Sequence, residues 1–260
     1  MAKPETITSA ANPLVKDVRR AIARGGLTRD GLCVAESFHL LEEALRSRCN
    51  VAAVLAAEST ETRVRNLRHT DVIVLPDALF LSISSTETSQ GVIALVEPPR
   101  WQLEDLFRGC PLVVVLDGLQ DPGNAGAIVR AAEAFSATGI LFLKDSVSPY
   151  NPKTLRASAG SLFRVPFLHG VEPEAALGAL SQNGVELFAA VPRRESDGAL
   201  RAFTSRCAFV IGSEAHGVSR ILRAGASDVS IPTEGVESLN AAMAAGILLY
   251  EARRQRTLRP

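Results

Sequence analysis

The fold is decided by the stretch Leu112-Val113-Val114-Val115-Leu116-Asp117-Gly118-Leu119-Gln120-Asp121-Pro122-Gly123-Asn124-Ala125-Gly126-Ala127-Ile128-Val129-Arg130. Its first five residues are an uninterrupted apolar run, typical of a strand buried on both faces of a parallel sheet. A loop rich in turn-forming residues follows and leads into a helix. On that helix Ile128, Ala131, Ala132 and Phe135 form the core-facing stripe, and Arg130 lies on the other side. The stretch therefore predicts a strand, a loop and a helix of an α/β fold.

Further apolar runs alternate with helical stretches after this unit. We expect strands at residues 140–143, 185–191, 208–211 and 229–231, which favours a parallel sheet covered by helices. The last helix is predicted to begin near Ser238, a favourable N-cap residue, and to end near residue 255. Its predicted apolar stripe is Leu239, Ala242, Met243, Gly246, Ile247 and Tyr250.

The N-terminal part is predicted to be a smaller α/β unit. Residues 14–24 read as a basic helix ended by Gly25-Gly26, and a second helix is expected at residues 37–47. The predicted strands are residues 32–35, 51–56, 72–75 and 91–96. Pro98-Pro99 is a good linker, because proline cannot donate a ladder hydrogen bond. We therefore expect domains at residues 1–100 and 108–260.

Composition limits the class of protein. The chain has 260 residues, of which 47% are hydrophobic. Its apolar runs are shorter than the roughly 20 residues of a membrane span, and its first residues lack the apolar stretch expected of a secretory signal. The cytoplasm is the expected location, with no membrane partner. Four cysteines at wide, irregular spacings argue against a zinc site and against a disulfide framework. We interpret them as small buried residues and expect no metal.

The formal net charge is zero, but the charged residues are unevenly distributed along the chain. Residues 1–29 contain six basic and two acidic residues, so a local basic patch could bind phosphates. The candidates for nucleic-acid contact are Lys16, Arg19, Arg20 and Arg24.

Two later segments also join an apolar strand to a helix through small polar residues. These are Ile211-Gly212-Ser213-Glu214 and Ser238-Leu239-Asn240, and such junctions expose backbone N–H groups to a polar ligand. The Gly-x-Gly-x-x-Gly pattern of dinucleotide-binding folds follows none of the candidate strands, which argues against a Rossmann dehydrogenase.

Together with Asn124 to Arg130 and Ile231-Pro232, these segments resemble the SpoU (TrmH-like) family of RNA ribose 2′-O-methyltransferases, part of the SPOUT superfamily. Residues 158–166 are similar to another segment of that family. The N-terminal part resembles its accessory RNA-binding domain, an α/β fold similar to ribosomal protein L30e. The resemblance implies a trefoil-knotted C-terminal domain, S-adenosylmethionine as cofactor, an RNA substrate and a homodimer.

The resemblance also assigns roles to single residues. The implied catalytic set is Arg130, Asn124, Glu214, Ser238 and Asn240, in which Arg130 stabilises the developing negative charge, Asn124 and Glu214 orient it, and Ser238 and Asn240 position substrate and loop. The implied cofactor-binding residues are Ile211, Gly212, Ser213, Glu214, Gly217, Ile231, Pro232, Ser238, Leu239 and Asn240. His216, within the second segment, is interpreted as a surface residue.

Three alternatives stay open from the sequence. One is a non-catalytic RNA-binding scaffold with the same fold, another is a transfer RNA ribose methyltransferase, and the third is a related enzyme that methylates a base. The presence of Arg130 and Asn240 favours an enzyme of the ribose-modifying branch, and the extra N-terminal domain favours ribosomal RNA.

Overall fold

The computed structural model describes residues 5–65, 67, 70–192 and 202–257. These residues divide into two compact units. The first takes its residues from 1–100 and from Tyr150–Arg164, and the second from Trp101–Pro149 and from 165–260. Across the described ranges, none of the helices is long and apolar enough to span a membrane.

Strands and helices alternate through much of the described chain. The strands are β1 (Glu5–Thr6), β2 (Cys33–Glu36), β3 (Val51–Ala57), β4 (Asp71–Leu75), β5 (Val92–Val96), β6 (Leu112–Asp117), β7 (Gly139–Leu143), β8 (Phe167–Val171), β9 (Glu186–Ala190), β10 (Cys207–Gly212) and β11 (Ser227–Val229). The α-helices are α1 (Pro13–Arg24), α2 (Phe38–Arg46), α3 (Glu61–Val64), α4 (Asp77–Leu81), α5 (Pro122–Ala134), α6 (Pro152–Ala157), α7 (Pro173–Gln182), α8 (Arg220–Ala224) and α9 (Ala241–Thr257). Short 3₁₀ turns lie at Glu58–Thr60, Leu103–Phe107 and Ser161–Phe163.

The first unit contains a mixed five-stranded sheet. Its strand order is β1-β4-β3-β5-β2, in which β4 pairs in parallel with β1 and β3, and β5 pairs antiparallel with β2 and β3. Helix α1 begins where the Asn12 side chain accepts a hydrogen bond from the Leu14 N–H at 2.8 Å, and it ends at Gly25, whose φ of 60° is left-handed. These are the usual start and stop signals of a helix, which explains why the basic helix was predictable.

Residues 150–164 pack with the first unit although they lie within the sequence of the second. Arg156 forms an ion pair with the buried Glu36 at 3.4 Å, and Arg164 forms one with Glu43 at 2.7 Å. At Gly160, with φ at +88°, a Cβ atom would lie 2.5 Å from Glu43 Cβ, so this close approach requires glycine. The predicted continuous division at residue 100 differs from the observed units at this segment.

The second unit contains a sheet of six parallel strands in the order β11-β9-β10-β6-β7-β8. All six residues of β6 are buried, as its apolar run predicts. The fold class, α/β with a parallel sheet, is therefore confirmed. The predicted strand at 229–231 is wrong in position, because β11 ends at Val229 and Ile231-Pro232 follow it as irregular chain.

The cysteines divide into two groups. Cys33 and Cys207 are buried, and burial raises the pKa of these thiols to about 12 and about 11. The prediction of small buried residues is confirmed for this pair. It is wrong for Cys110, which is exposed, and Cys49 is half-buried.

Candidate functional site

A cavity of about 420 Å³ lies in the second unit. It is formed where β9, β10 and β11 end and where α9 begins. Ligands of open α/β sheets bind at the carboxyl ends of the strands, because the loops there surround a crevice. Its walls come from three stretches of chain and two further residues: Ala190 to Pro192, Ile211 to Val218, Arg223, Val229, and a set from Ile231 to Leu248 that includes Thr233, Glu237, Ser238, Leu239, Ala241 and Ala244.

The loop at residues 212–219 forms one wall of this cavity and is tightly closed on itself. The Gly217 N–H donates to the Ser213 carbonyl at 2.9 Å. At Gly212 a Cβ atom would lie 2.1 Å from the Gly217 carbonyl carbon and 2.4 Å from the Val218 nitrogen. Real Cβ atoms do not approach backbone so closely, so the 212–219 loop requires glycine at its first position.

The structure brings most of the predicted cofactor-binding residues to this cavity. Those that line it are Ile211, Gly212, Ser213, Glu214, Gly217, Ile231, Ser238 and Leu239. Pro232 and Asn240 lie in the same stretch of chain but do not line it. His216, which was interpreted as a surface residue, is exposed and also lines the cavity.

A hydrogen-bonded network joins the three motif segments beside the cavity. The Asn124 side-chain amide donates to Glu214 Oε1 at 2.6 Å, and the Asn240 amide donates to Asn124 Oδ1 at 2.9 Å. Asn240 Oδ1 in turn accepts from the N–H groups of Ala242 and Met243 at 2.9 and 3.2 Å. Residues far apart in sequence thus fix one another's orientation, and the network also holds the start of α9.

The cap of α9 differs from the prediction, and the cap of α5 explains the position of the Asn124 side chain. Asn240 caps α9, whereas Ser238 was predicted to do so; the helix begins at Ala241, and Ser238 is an exposed residue of the cavity wall. In α5 the cap is Asp121, whose side chain accepts from the Asn124 N–H at 2.6 Å. Because Asp121 caps α5, the Asn124 side chain is free for the network.

Arg130 lies on the exposed side of α5, with Ala127 and Ala134 exposed on the same side. Ile128 and Ala132 are buried, as the predicted stripe requires. The Arg130 side chain forms neither a hydrogen bond nor an ion pair with any described residue of the chain. Asn124 and Glu214, which were expected to orient it, bond to each other instead.

Several residues of the cavity wall were not anticipated from the sequence. The main ones are Val191, Pro192, Arg223, Thr233 and Glu237. The Arg223 guanidinium is held by both carboxylate oxygens of Asp228, at 3.2 and 2.8 Å. The residues that follow β9 could have been found, because β9 neighbours β10 and its carboxyl end must reach the same crevice.

The predicted RNA-binding residues all lie on α1 of the first unit. Lys16, Arg19 and Arg24 are exposed, whereas Arg20 is half-buried and paired with Asp17. Arg19 donates to the Ser82 hydroxyl at 3.0 Å. Lys16 and Arg24 are therefore the better candidates for phosphate contacts.

Metal-binding side chains do not cluster in the part of the chain that the structure describes. Within it, no group of three or more histidine, cysteine, aspartate or glutamate side chains could hold a metal ion.

A parallel sheet with a cofactor-sized cavity at its carboxyl edge defines the class of α/β cofactor-binding proteins. Comparison with known families narrows this class. The model of the SpoU rRNA Methylase family matches residues 111–250, and that of the MRM3-like substrate binding domain matches residues 12–94. The chain therefore belongs to the SpoU rRNA methylase family, and its cofactor is S-adenosylmethionine.

Individual relatives are similar to this chain over nearly its whole length. An uncharacterized tRNA/rRNA methyltransferase of Synechocystis is 33% identical over 96% of this chain and 94% of its own length. The 23S rRNA (guanosine(2553)-2′-O)-methyltransferase RlmP of Bacillus subtilis is 30% identical over 95% of this chain and 98% of its own. Among solved structures, the AdoMet complex of the SpoU methyltransferase AviRb from Streptomyces viridochromogenes has a TM-score of 0.82 at 28% identity, covering 96% of this chain and all of that one.

Proposed function

We propose that this chain transfers the methyl group of S-adenosylmethionine to a ribose 2′-hydroxyl of 23S ribosomal RNA. The observation that carries the proposal is the network of Asn124, Glu214 and Asn240, which joins the three family motifs at the edge of the cavity. The relative from Bacillus subtilis, which is named for this reaction on 23S rRNA, supports the choice of substrate. Since the proposed substrate is ribosomal RNA, the proposed location is the cytoplasm.

The cavity suits S-adenosylmethionine in size and chemistry. About 420 Å³ falls within the range of ordinary small-molecule sites. Ile211, Leu239 and Leu248 offer apolar surface to an adenine ring, and the carboxylates of Glu214 and Glu237 offer negative charge to a cationic ligand. The bound cofactor supplies a methyl group activated by its positive sulfonium.

We assign Arg130 the role of binding near the ribose 2′-oxygen, the atom that accepts the methyl group. The 2′-oxygen forms a bond to the methyl carbon as the bond from that carbon to sulfur breaks, which leaves S-adenosylhomocysteine, and the hydroxyl proton passes to water. A neutral hydroxyl is a weak nucleophile, so the charge that develops on its oxygen must be stabilised. The arginine side chain stays protonated in proteins and is therefore a better donor than base. We assign Arg130 to hold the 2′-oxygen or a neighbouring phosphate and to stabilise the developing anion. Ser238 and Asn240 are assigned to position the substrate and the start of α9.

We further propose a homodimer, in which Arg130 of one subunit meets the cofactor cavity of the other. Two observations support it: Arg130 does not line the cavity of its own chain, and α9 exposes three large side chains. Met243, Ile247 and Tyr250 are 57%, 39% and 54% exposed. Large exposed apolar residues at helical spacing are typical of protein interfaces.

The dimer proposal predicts the effect of Ile247→Glu. A carboxylate placed in an apolar interface loses its hydration without gaining a partner, which costs several kcal/mol. We expect the variant to be folded, because Ile247 is exposed in the single chain, and to be monomeric by light scattering at micromolar concentration. Arg253→Ala, an exposed change elsewhere on α9, should remain dimeric. A dimeric Ile247→Glu protein would contradict the proposed interface.

We propose that α1 contributes RNA affinity through Lys16 and Arg24. Each phosphate contact releases counterions, so the double change to alanine should weaken RNA binding several-fold and lower the salt dependence of log K by about 1–2. Arg65→Ala is the control, because Arg65 is exposed in the same unit and paired with Glu61. Filter binding at several salt concentrations measures both quantities. An unchanged salt slope would assign RNA contact to another surface.

The trefoil knot also stays a proposal. Its support is the match of residues 111–250 to the family model, together with α9 lying beside β10.

The function itself is tested by mapping 2′-O-methyl nucleotides of ribosomal RNA by mass spectrometry, in cells with and without this protein. We expect one ribose methyl group to disappear without it. Calorimetry on the purified protein should detect S-adenosylmethionine binding, with competition by S-adenosylhomocysteine. A folded protein that binds neither ligand would favour the non-catalytic scaffold.

A further inference from the structure

We propose that Asp117 is a positioning residue, which holds the 212–219 loop in the conformation that binds the cofactor. The inference rests on the cofactor cavity of the proposed function. It concerns a carboxylate that neither lines the cavity nor belongs to the motif residues named above.

Asp117 stands at the carboxyl end of the central strand β6. In the sheet register it lies opposite Gly212, the first residue of the loop. The residue is only 8% exposed, and its Oδ2 accepts a hydrogen bond from the Ser219 N–H at 2.6 Å. A nearly buried carboxylate is costly unless it is hydrogen-bonded, so this contact holds both groups in place.

The contact fixes the end of a loop whose turn is already closed. The Ser213–Gly217 bridge ties the turn together, and the His216 N–H donates to the Ser213 hydroxyl at 3.1 Å. Beyond Gly217 only Val218 precedes Ser219. The bond from Asp117 to Ser219 therefore determines how far the loop can move from β6, and with it the cavity wall formed by Gly217 and Val218.

The two partners can be tested separately. Asp117→Ala removes the acceptor, and Ser219→Pro removes the donor while keeping the backbone angle, because Ser219 has φ of −59° and proline prefers about −65°. We expect each variant to weaken S-adenosylmethionine binding by about tenfold, the typical effect of losing a hydrogen bond to a charged group. The double variant should bind no more weakly than either single variant, because both remove one interaction.

Two conservative variants are the controls. Asp117→Asn keeps an oxygen acceptor and should bind within about threefold of the wild type. Ser219→Ala keeps the N–H and removes only a hydroxyl that is buried without a hydrogen-bond partner among the described residues, so it should bind like the wild type. Thermal unfolding checks that each variant is folded. If Asp117→Ala does not fold, the affinities of Ser219→Pro and Ser219→Ala for S-adenosylmethionine are compared instead. Weaker binding by Ser219→Pro alone would support the role of the bond from Ser219 to Asp117, and equal binding would overturn it.

Calorimetry separates this inference from the proposed function. Wild-type protein that does not bind S-adenosylmethionine would overturn the proposed function and with it the role of Asp117. Wild-type binding together with unchanged binding by Asp117→Ala would overturn only the role of Asp117. A loss in Asp117→Asn as large as that in Asp117→Ala would also overturn it, because the hydrogen-bond acceptor would then not be the cause.

Discussion

Replacing Arg130 by alanine is expected to lower the rate of RNA methylation by about 10²–10³-fold, which corresponds to a loss of roughly 3–4 kcal/mol of transition-state stabilisation. Folding and cofactor binding should stay nearly unchanged. The side chain is exposed on α5, packs in neither the core nor the cavity wall, and is unpaired within the described part of the single chain. Its removal leaves no buried group without a partner, so the loss should appear in the chemical step.

The measurement is a single-turnover methyl-transfer assay with tritiated cofactor, alongside calorimetry of cofactor binding. Arg130→Lys is the graded control, because it keeps the positive charge but loses the forked guanidinium donor. Its rate of methyl transfer should lie between the rates of the wild type and of Arg130→Ala. Near wild-type methylation by Arg130→Ala would remove Arg130 from the mechanism. Loss of folding would instead show that its role is structural.

Replacing Gly212 by alanine is expected to abolish cofactor binding. The added Cβ would meet the backbone of Gly217 and Val218 at 2.1–2.4 Å, and backbone cannot turn aside as a flexible side chain can. Overpacking of this kind costs about 3 kcal/mol or more, which corresponds to at least a hundredfold loss of affinity if the loop moves instead of the sheet.

Gly178→Ala is the matched control for this change. Gly178 lies within α7, where an added Cβ meets nothing within 4 Å, so alanine should raise stability by about 0.5–1 kcal/mol and leave binding unchanged. Calorimetry and thermal unfolding of both variants make the comparison. Cofactor binding by Gly212→Ala at wild-type affinity would mean that the close backbone packing is not needed for the site.

The polar network illustrates what sequence reasoning could and could not reach. Asn124, Glu214 and Asn240 were each predicted as site residues, but their hydrogen bonds to one another were not, because pairing across more than 80 residues depends on how strands order in the sheet. The cap of α9 was assigned to Ser238 because serine is a good N-cap residue. Asn240 occupies that position, and propensity alone does not choose between two good capping residues so close in sequence.

The placement of residues 150–164 shows the same limit for domain boundaries. Pro98-Pro99 marks a break in the sequence, and the observed division at residue 100 lies next to it. Nothing local in residues 150–164 indicates that they pack with the first unit. Their placement depends on contacts with residues more than 110 positions away, among them the ion pairs of Arg156 and Arg164 with Glu36 and Glu43.

The sequence by itself determined the properties that depend on neighbouring residues. These are the buried strand β6, the exposed side of α5 that carries Arg130, the start and end of α1, and the family motifs. The tertiary structure alone decided which loops share the cavity, which carboxylate holds the 212–219 loop, and that Arg130 lies outside the cavity of its own chain. The physical reason is that periodicity and capping act within a few residues, whereas the order of parallel strands sets which distant residues meet at the sheet edge.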